Sequence, residues 1–175
     1  MYLEFENLVV RNATKEDAHL LGKWWRDGKV MAHAGFPLGL KIKDEEIAAS
    51  LEKDTDDTRR RLILEVDEHP VGEMNWTNLG DSVAEIGIKI CVESHQGQGY
   101  GPKFLKLLID YLFTKMNFDK IVLDTNLKNI RAQHTYEKLG FIKTEVKSDF
   151  WKDQLGQLQS SVEYELEKKD WISST

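Results

Sequence analysis

The period of the hydrophobic positions changes along the chain, and each change marks an element. Residues 8–13, "LVVRNA", are a short apolar run that reads as a strand. Thr14 with Asp17 three residues on resembles a helix-start capping arrangement, and Ala18, Leu21, Trp24 and Trp25 then recur at helical spacing, so a first helix is expected to about Asp27. The segment 28–43, with Gly28, Gly35, Pro37 and Gly39, reads as a loop, after which Asp44 is placed to cap a second helix with Ile47, Ala48 and Leu51 inward. Three strand-like runs follow, 60–67, 70–79 and 82–92, parted by short polar turns, and they read as an antiparallel meander. In the third, Ile86, Ile88, Ile90 and Val92 share one face while Glu85, Gly87, Lys89 and Cys91 share the other. A helix over about 100–116 carries Phe104, Leu107, Leu108, Tyr111 and Leu112 as its apolar stripe, ahead of a strand at 120–125, a helix at about 128–139 stopped by Gly140, and two final strands. The order is β-α-α-β-β-β-α-β-α-β-β.

Length and composition narrow the reading. A chain of 175 residues without repeats, low-complexity tracts or a linker fits one domain over 1–175. The net charge of −6 is spread along the chain and no Lys/Arg cluster follows a phosphate backbone, which argues against nucleic acid. No apolar run reaches the ~18 residues of a membrane span, so a soluble, cytoplasmic protein is expected. Cys91 is the only cysteine and the five histidines, His95 and His134 among them, form no ligand-spaced cluster, so no metal site is expected.

Candidate chemistry begins at "ESHQGQGYGPKF", 93–104, where a strand runs into Gly97, Gly99 and Gly101 and then a helix. Such a helix start offers unpaired N–H groups and a partial positive charge to a phosphate, with Pro102 suited to the first turn. Spacing excludes a dinucleotide fingerprint, which needs glycine at 102, and a P-loop, which needs Gly-Lys-Ser/Thr. By itself the loop is equally a glycine-rich turn.

Two patterns in order change that balance. Gln96-Gly97-Gln98-Gly99-Tyr100-Gly101 matches Gln/Arg-x-x-Gly-x-Gly/Ala, and "NIRAQHTYEKLGF" (129–141) follows at the expected distance. Together they resemble the two signatures of the GNAT superfamily of N-acetyltransferases, closest to the branch of ribosomal-protein alanine and polyamine acetyltransferases through "EIGIKI" and "YEKLGF".

The resemblance implies an α/β (α+β) fold, with a mixed, mostly antiparallel central sheet of about seven strands flanked by four helices. It implies acetyl transfer from acetyl-CoA to a primary amine, of a small molecule or of a peptide or protein amino terminus, by direct attack in a ternary complex; the alternative is a non-catalytic acyl-CoA-binding sensor or interaction module. Homodimers are common in the family. By resemblance Gln96, Gly97, Gln98, Gly99, Tyr100 and Gly101 take the CoA pyrophosphate, while Ile90, Cys91 and Val92 take the pantetheine by backbone hydrogen bonds, a main-chain N–H there polarising the acetyl carbonyl. Asn129 bonds the pantetheine arm and Tyr136 protonates the departing thiolate, with helix cap and core packing as the respective structural alternatives. Seven residues apart, the two lie on one helix face roughly 10 Å apart.

The amine must lose a proton before attack, and of the strand carboxylates Glu85 is preferred over Glu73 because its strand leads to the acetyl site. Trp25 and Trp76, among the aromatics of the variable front half, are the candidates to face the acceptor. Cys91 on an apolar strand reads as packing rather than as a covalent nucleophile.

Overall fold

A computed structural model of the chain describes residues 1–171; positions 172–175 of the expected domain lie outside the described residues. The chain opens with a strand that hydrophobic alternation does not announce. β1 (Tyr2–Phe5) turns back through Glu6, φ 55°, and pairs antiparallel with β2 (Leu8–Asn12). As a sheet edge with Tyr2 and Phe5 exposed, β1 is under little pressure to alternate.

Asp17 accepts from the Thr14 N–H at 2.8 Å, closing the turn that leads into α1 (Ala18–Trp25). The expected loop contains a one-turn helix, α2 (Gly28–Met31), begun by Asp27 accepting from the Lys29 N–H. α3 (Asp44–Leu51) buries Ile47 and Leu51 as its spacing predicts, but its cap is Lys43. The Asp44 carboxylate is taken instead by Arg26 and His19, each at 2.8 Å.

β3 (Arg59–Val66), β4 (His69–Gly80) and β5 (Val83–Ile90) form the meander, and α4 (Tyr100–Thr114), β6 (Lys120–Asn126), α5 (Ile130–Leu139), β7 (Ile142–Lys152) and β8 (Leu158–Glu167) complete the chain. The fold class is the expected mixed, mostly antiparallel one. With β1 and α2 added, the described residues hold eight strands and five α-helices, against about seven and four expected. The stripe of α4 is rotated from its predicted line: Leu105, Leu108, Ile109 and Leu112 are buried, whereas Leu107 and Tyr111 lie at the rim beside β1.

All eight strands make one sheet in the order β1-β2-β3-β4-β5-β6-β8-β7. Every neighbour is antiparallel except β5 and β6, which run parallel through only three pairs, Val83 to Glu85 with Lys120 to Val122. The main core, under α4 and α5, takes Leu62, Leu64, Met74, Trp76, Ala84 and Ile86 from the sheet. On the other face α1 and α3 bury Ile63 and Cys91 with Leu21, Trp24, Ile47 and Leu51. Among the described residues no helix is long and apolar enough to cross a membrane.

Candidate active site

The sheet opens where β5 and β6 part. Glu85 is the last β5 residue paired with β6, so from Ile86 onward the edge of β5 that faces β6 has no strand beside it. A parallel pair that ends after three residues leaves backbone donors and acceptors free inside the sheet, and an extended ligand can take the missing strand's place. Beyond Ile90, the Cys91 and Val92 N–H groups both donate to Val71 O, at 2.8 and 3.1 Å, a two-against-one bulge of the kind that bends a strand. Those two amides are therefore engaged with β4, and of the three positions expected to meet the acetyl carbonyl only the Ile90 N–H is left without this bond. Alternation turns Ile90 the other way, into the opening, where its carbonyl accepts from Gln96 Nε2 at 2.9 Å.

That bond gives Gln96 a structural task at the root of the glycine loop. Gly97 (φ 69°) and Gly99 (φ 82°) adopt left-handed conformations, and Gly99 is the N-cap of α4. Gly101 is already helical, and a Cβ there or on Gly99 would meet nothing within 4 Å, so the space outside the helix start is open. Gln98 is exposed and Tyr100 packs its ring on His95, centroids 5.6 Å apart. Pro102 occupies the third helical position, where its missing N–H costs little. The loop has a cation that its own sequence does not reveal: a Cβ on Gly97 would lie 3.5 Å from Nη1 of Arg131, on α5. Lys103, by contrast, lines a groove against β1.

Asn129 caps α5 through Oδ1, which accepts from the Ala132 N–H at 3.2 Å; its amide nitrogen has no partner among the described residues. Tyr136 is 6% exposed, edge-on to Phe141 and Tyr164 at 6.0 and 5.8 Å. Its hydroxyl makes no hydrogen bond among the described residues. Burial, with the Asp124 carboxylate nearby, pushes its pKa up to about 12.

The face of the sheet away from α4 and α5 carries carboxylates. Glu73, Glu85, Asp124 and Glu163 alternate with core residues on β4, β5, β6 and β8, which sets all four on that side. Asp124 stands opposite Glu163 across β6 and β8. Burial raises the pKa of Glu85, and the charges of Asp124 and Glu163 raise it further. Asp124 is raised by burial and by Glu163. Glu73 is raised by burial despite Lys89 Nζ at 3.9 Å and the Trp25 indole, which donates to it at 2.8 Å. Trp25 thus borders this face. Trp76 does not: it is 1% exposed within the main core, edge-on to Phe118, and so cannot face an acceptor. Burial, with Glu73 adding to it, raises the Cys91 thiol far above its ordinary range, which removes the thiolate a covalent route needs.

A family model, the acetyltransferase (GNAT) domain, matches residues 7–142. The chain belongs to the GNAT acetyltransferases. It is 35% identical over 99 residues to the spermidine N(1)-acetyltransferase of Escherichia coli K12, a match covering 55% of this chain and 53% of that protein. A longer match, 23% identical and covering 95% of this chain and 96% of its partner, is to the uncharacterized N-acetyltransferase p20 of Bacillus licheniformis. This GNAT chain thus spans about half the length of the spermidine acetyltransferases it matches. Among solved structures, spermidine N-acetyltransferase from Vibrio cholerae in complex with CoA and spermine superposes with a TM-score of 0.83 at 22% identity, over 94% of this chain and 97% of that one. A probable acetyltransferase gives 0.84 at 21% identity, over 98% and 99%. At these identities the superpositions show the GNAT fold.

Proposed function

We propose that this chain transfers the acetyl group of acetyl-CoA to a primary amine of a polyamine, by direct attack with both substrates bound. The observation that supports the reading is one opening in the sheet, with a glycine loop after β5, a buried Tyr136 hydroxyl without a partner among the described residues, and four carboxylates on the sheet face away from α4 and α5. The relatives named for spermidine support the choice of acceptor.

Acetyl-CoA would supply an acetyl thioester, and the residues present fit it. The Gly99–Gly101 helix start and Arg131 would receive the pyrophosphate, and the exposed β5 edge through Ile90 would hydrogen-bond the pantetheine in the manner of an added strand. The amide of Asn129 is free to join it. Tyr136 would hold a proton on its hydroxyl for the departing sulfur. Glu85, at the apex of the opening, is placed to receive the ammonium proton, with Glu73, Asp124 and Glu163 drawing the cationic chain onto the face. Positioning and electrostatics would supply most of the rate.

The test is thiol release from acetyl-CoA against spermine, spermidine, putrescine, an aminoglycoside and a tripeptide. Turnover with the polyamines is expected; acetyl-CoA binding without release against any amine would refute the reading.

A further inference from the structure

On the carboxylate face the two halves of the sheet are bridged by a clasp. One side of it is the front segment, residues 32–40. This is anchored to the β1–β5 half: the Leu40 N–H donates to Trp25 O at 2.7 Å, and Gly39 (φ 77°) lies so close to Arg26 that a Cβ would sit 2.1 Å from its carbonyl oxygen. Just before this segment, Met31 Sδ meets Lys89 Nζ of β5 at 3.2 Å. The other side is the tip of the β7–β8 hairpin, which belongs to the half beyond the opening.

Gln154 joins them. Its N–H donates to Gly35 O at 2.8 Å, its Oε1 accepts from the Leu38 N–H at 2.8 Å, and its Nε2 donates to Gly39 O at 3.0 Å. Gly35 (φ 99°) also rests on the Trp151 ring, where a Cβ would be 2.4 Å from a ring carbon. Trp151 is in turn held over β8 by its indole donating to Ser161 Oγ at 3.1 Å, on the same face as Glu163. Since the gap between β5 and β6 lies between these two halves in the sheet order, the clasp spans the opening.

We propose that Gln154 is a positioning residue that holds a backbone arch across the acceptor entrance, so that only a slender, unbranched alkylamine reaches the apex. An amino terminus carries a side chain and a carbonyl on the carbon next to its nitrogen, so it brings more bulk to the apex than the terminal CH2–NH2 of a polyamine. The proposal rests on the reading under Proposed function, and it chooses between the two acceptor classes that the family allows.

The experiment compares spermidine with trialanine amide in the wild type, Gln154→Ala and Gln154→Glu, alongside amide exchange at Leu38. Gln154→Ala should raise the KM for spermidine at least fivefold with kcat and the KM for acetyl-CoA within twofold, narrow the spermidine-to-peptide ratio of kcat/KM at least tenfold, and speed Leu38 exchange. Gln154→Glu keeps the acceptor for Leu38 and loses the donor to Gly39, so it should fall between the two and tests the same point if the alanine variant does not fold. Faster exchange with an unchanged selectivity ratio would overturn the proposal, as would unchanged exchange. If the wild type acetylates neither amine, the reading under Proposed function fails, and the exchange rate still decides whether Gln154 holds the arch.

Discussion

Replacing Tyr136 with phenylalanine should separate catalysis from stability, because the change removes one oxygen and leaves the ring. The ring is 6% exposed and keeps its edge-on contacts to Phe141 and Tyr164, and the hydroxyl has no hydrogen-bond partner among the described residues to lose. Stability should therefore stay within about 0.5 kcal/mol, whereas Tyr136→Ala, which empties the site, should cost about 3–5 kcal/mol. The catalytic magnitude follows from the pKa of about 12. A thiol near 8.5 is the stronger acid by 12 − 8.5, about 3.5 units, so a completed transfer from Tyr136 to a thiolate is uphill by about 5 kcal/mol. On the proposed reading the hydroxyl would then act chiefly as a hydrogen-bond donor to the charge forming on sulfur. Loss of one such donor costs about 10²–10³ in kcat, about 2.7–4 kcal/mol. Thiol release and urea unfolding on the same preparations measure both quantities. Undiminished turnover in Tyr136→Phe would refute the donor role, and a stability loss above about 1 kcal/mol would show that the hydroxyl has a structural task. The folded pKa exceeds the ordinary phenol value of 10, so the buried phenol stabilises the fold fully below pH 10 and loses that contribution as pH rises toward 12; the phenylalanine variant should lack this loss.

Asp54, with a side chain 3% exposed, accepts from Arg61 Nη2 and Nε at 2.9 and 3.1 Å and from Arg59 at 3.2 Å; Asp54→Ala should cost about 3 kcal/mol in urea unfolding. Burial would raise this carboxyl, but Arg61 and then Arg59 outweigh it and hold the pKa below 3.8, so its contribution is present above pH ~4, fades below it, and should be missing from the acid limb of Asp54→Asn. Gly99→Ala must hold φ 82° and should cost about 1–2 kcal/mol in thermal or urea unfolding, whereas Gly101→Ala is helical with room for its methyl and should leave stability unchanged or raised by up to ~1 kcal/mol while weakening acetyl-CoA binding in titration. Glu85→Gln should reduce kcat by about 10²-fold or more and flatten the acid limb of the rate profile, which in the wild type should fall above the ordinary glutamate range as pH drops through the raised pKa.

What could be read before folding depended on how many neighbours each position answers to. Ala84 to Ile90 alternate against a buried core on one face, so β5 was legible as a strand and its polar face with it. The same alternation in β4, Glu73, Asn75 and Thr77 against Met74 and Trp76, already places Trp76 with the core. The bulge after Ile90 leaves no mark in the local pattern, because its cause is one carbonyl, Val71 O, on another strand. Arg131 and Gln154 were invisible for a related reason: one reaches Gly97 from 34 positions later and the other reaches Leu38 across 116, and neither distance leaves a local periodicity. Asp44 shows the converse, a residue suited to a local cap whose charge is claimed by Arg26 and His19.

The carboxylate face makes contrary demands on a cationic acceptor. Negative charge at Glu73, Glu85, Asp124 and Glu163 holds an ammonium group more firmly and also raises its pKa, which keeps the lone pair needed for attack occupied. Burial, with like charges crowded on one face and Asp124 directly opposite Glu163 adding to it, in turn raises Glu85 and Asp124. A carboxylate with a raised pKa is a better proton acceptor than an ordinary one, so a buried and crowded face that binds a cation would also narrow the gap between ammonium and base. The remaining gap falls further if only one amine reaches the apex while the rest of a polyamine's charge stays over the outer carboxylates. Glu85 at the apex and Glu73 beside Trp25 and Lys89 are separated along the face in the way such a division requires. On this view an acceptor with one amine would gain little from the outer carboxylates, and a chain of several amines would be held by them while its terminal nitrogen is deprotonated at Glu85.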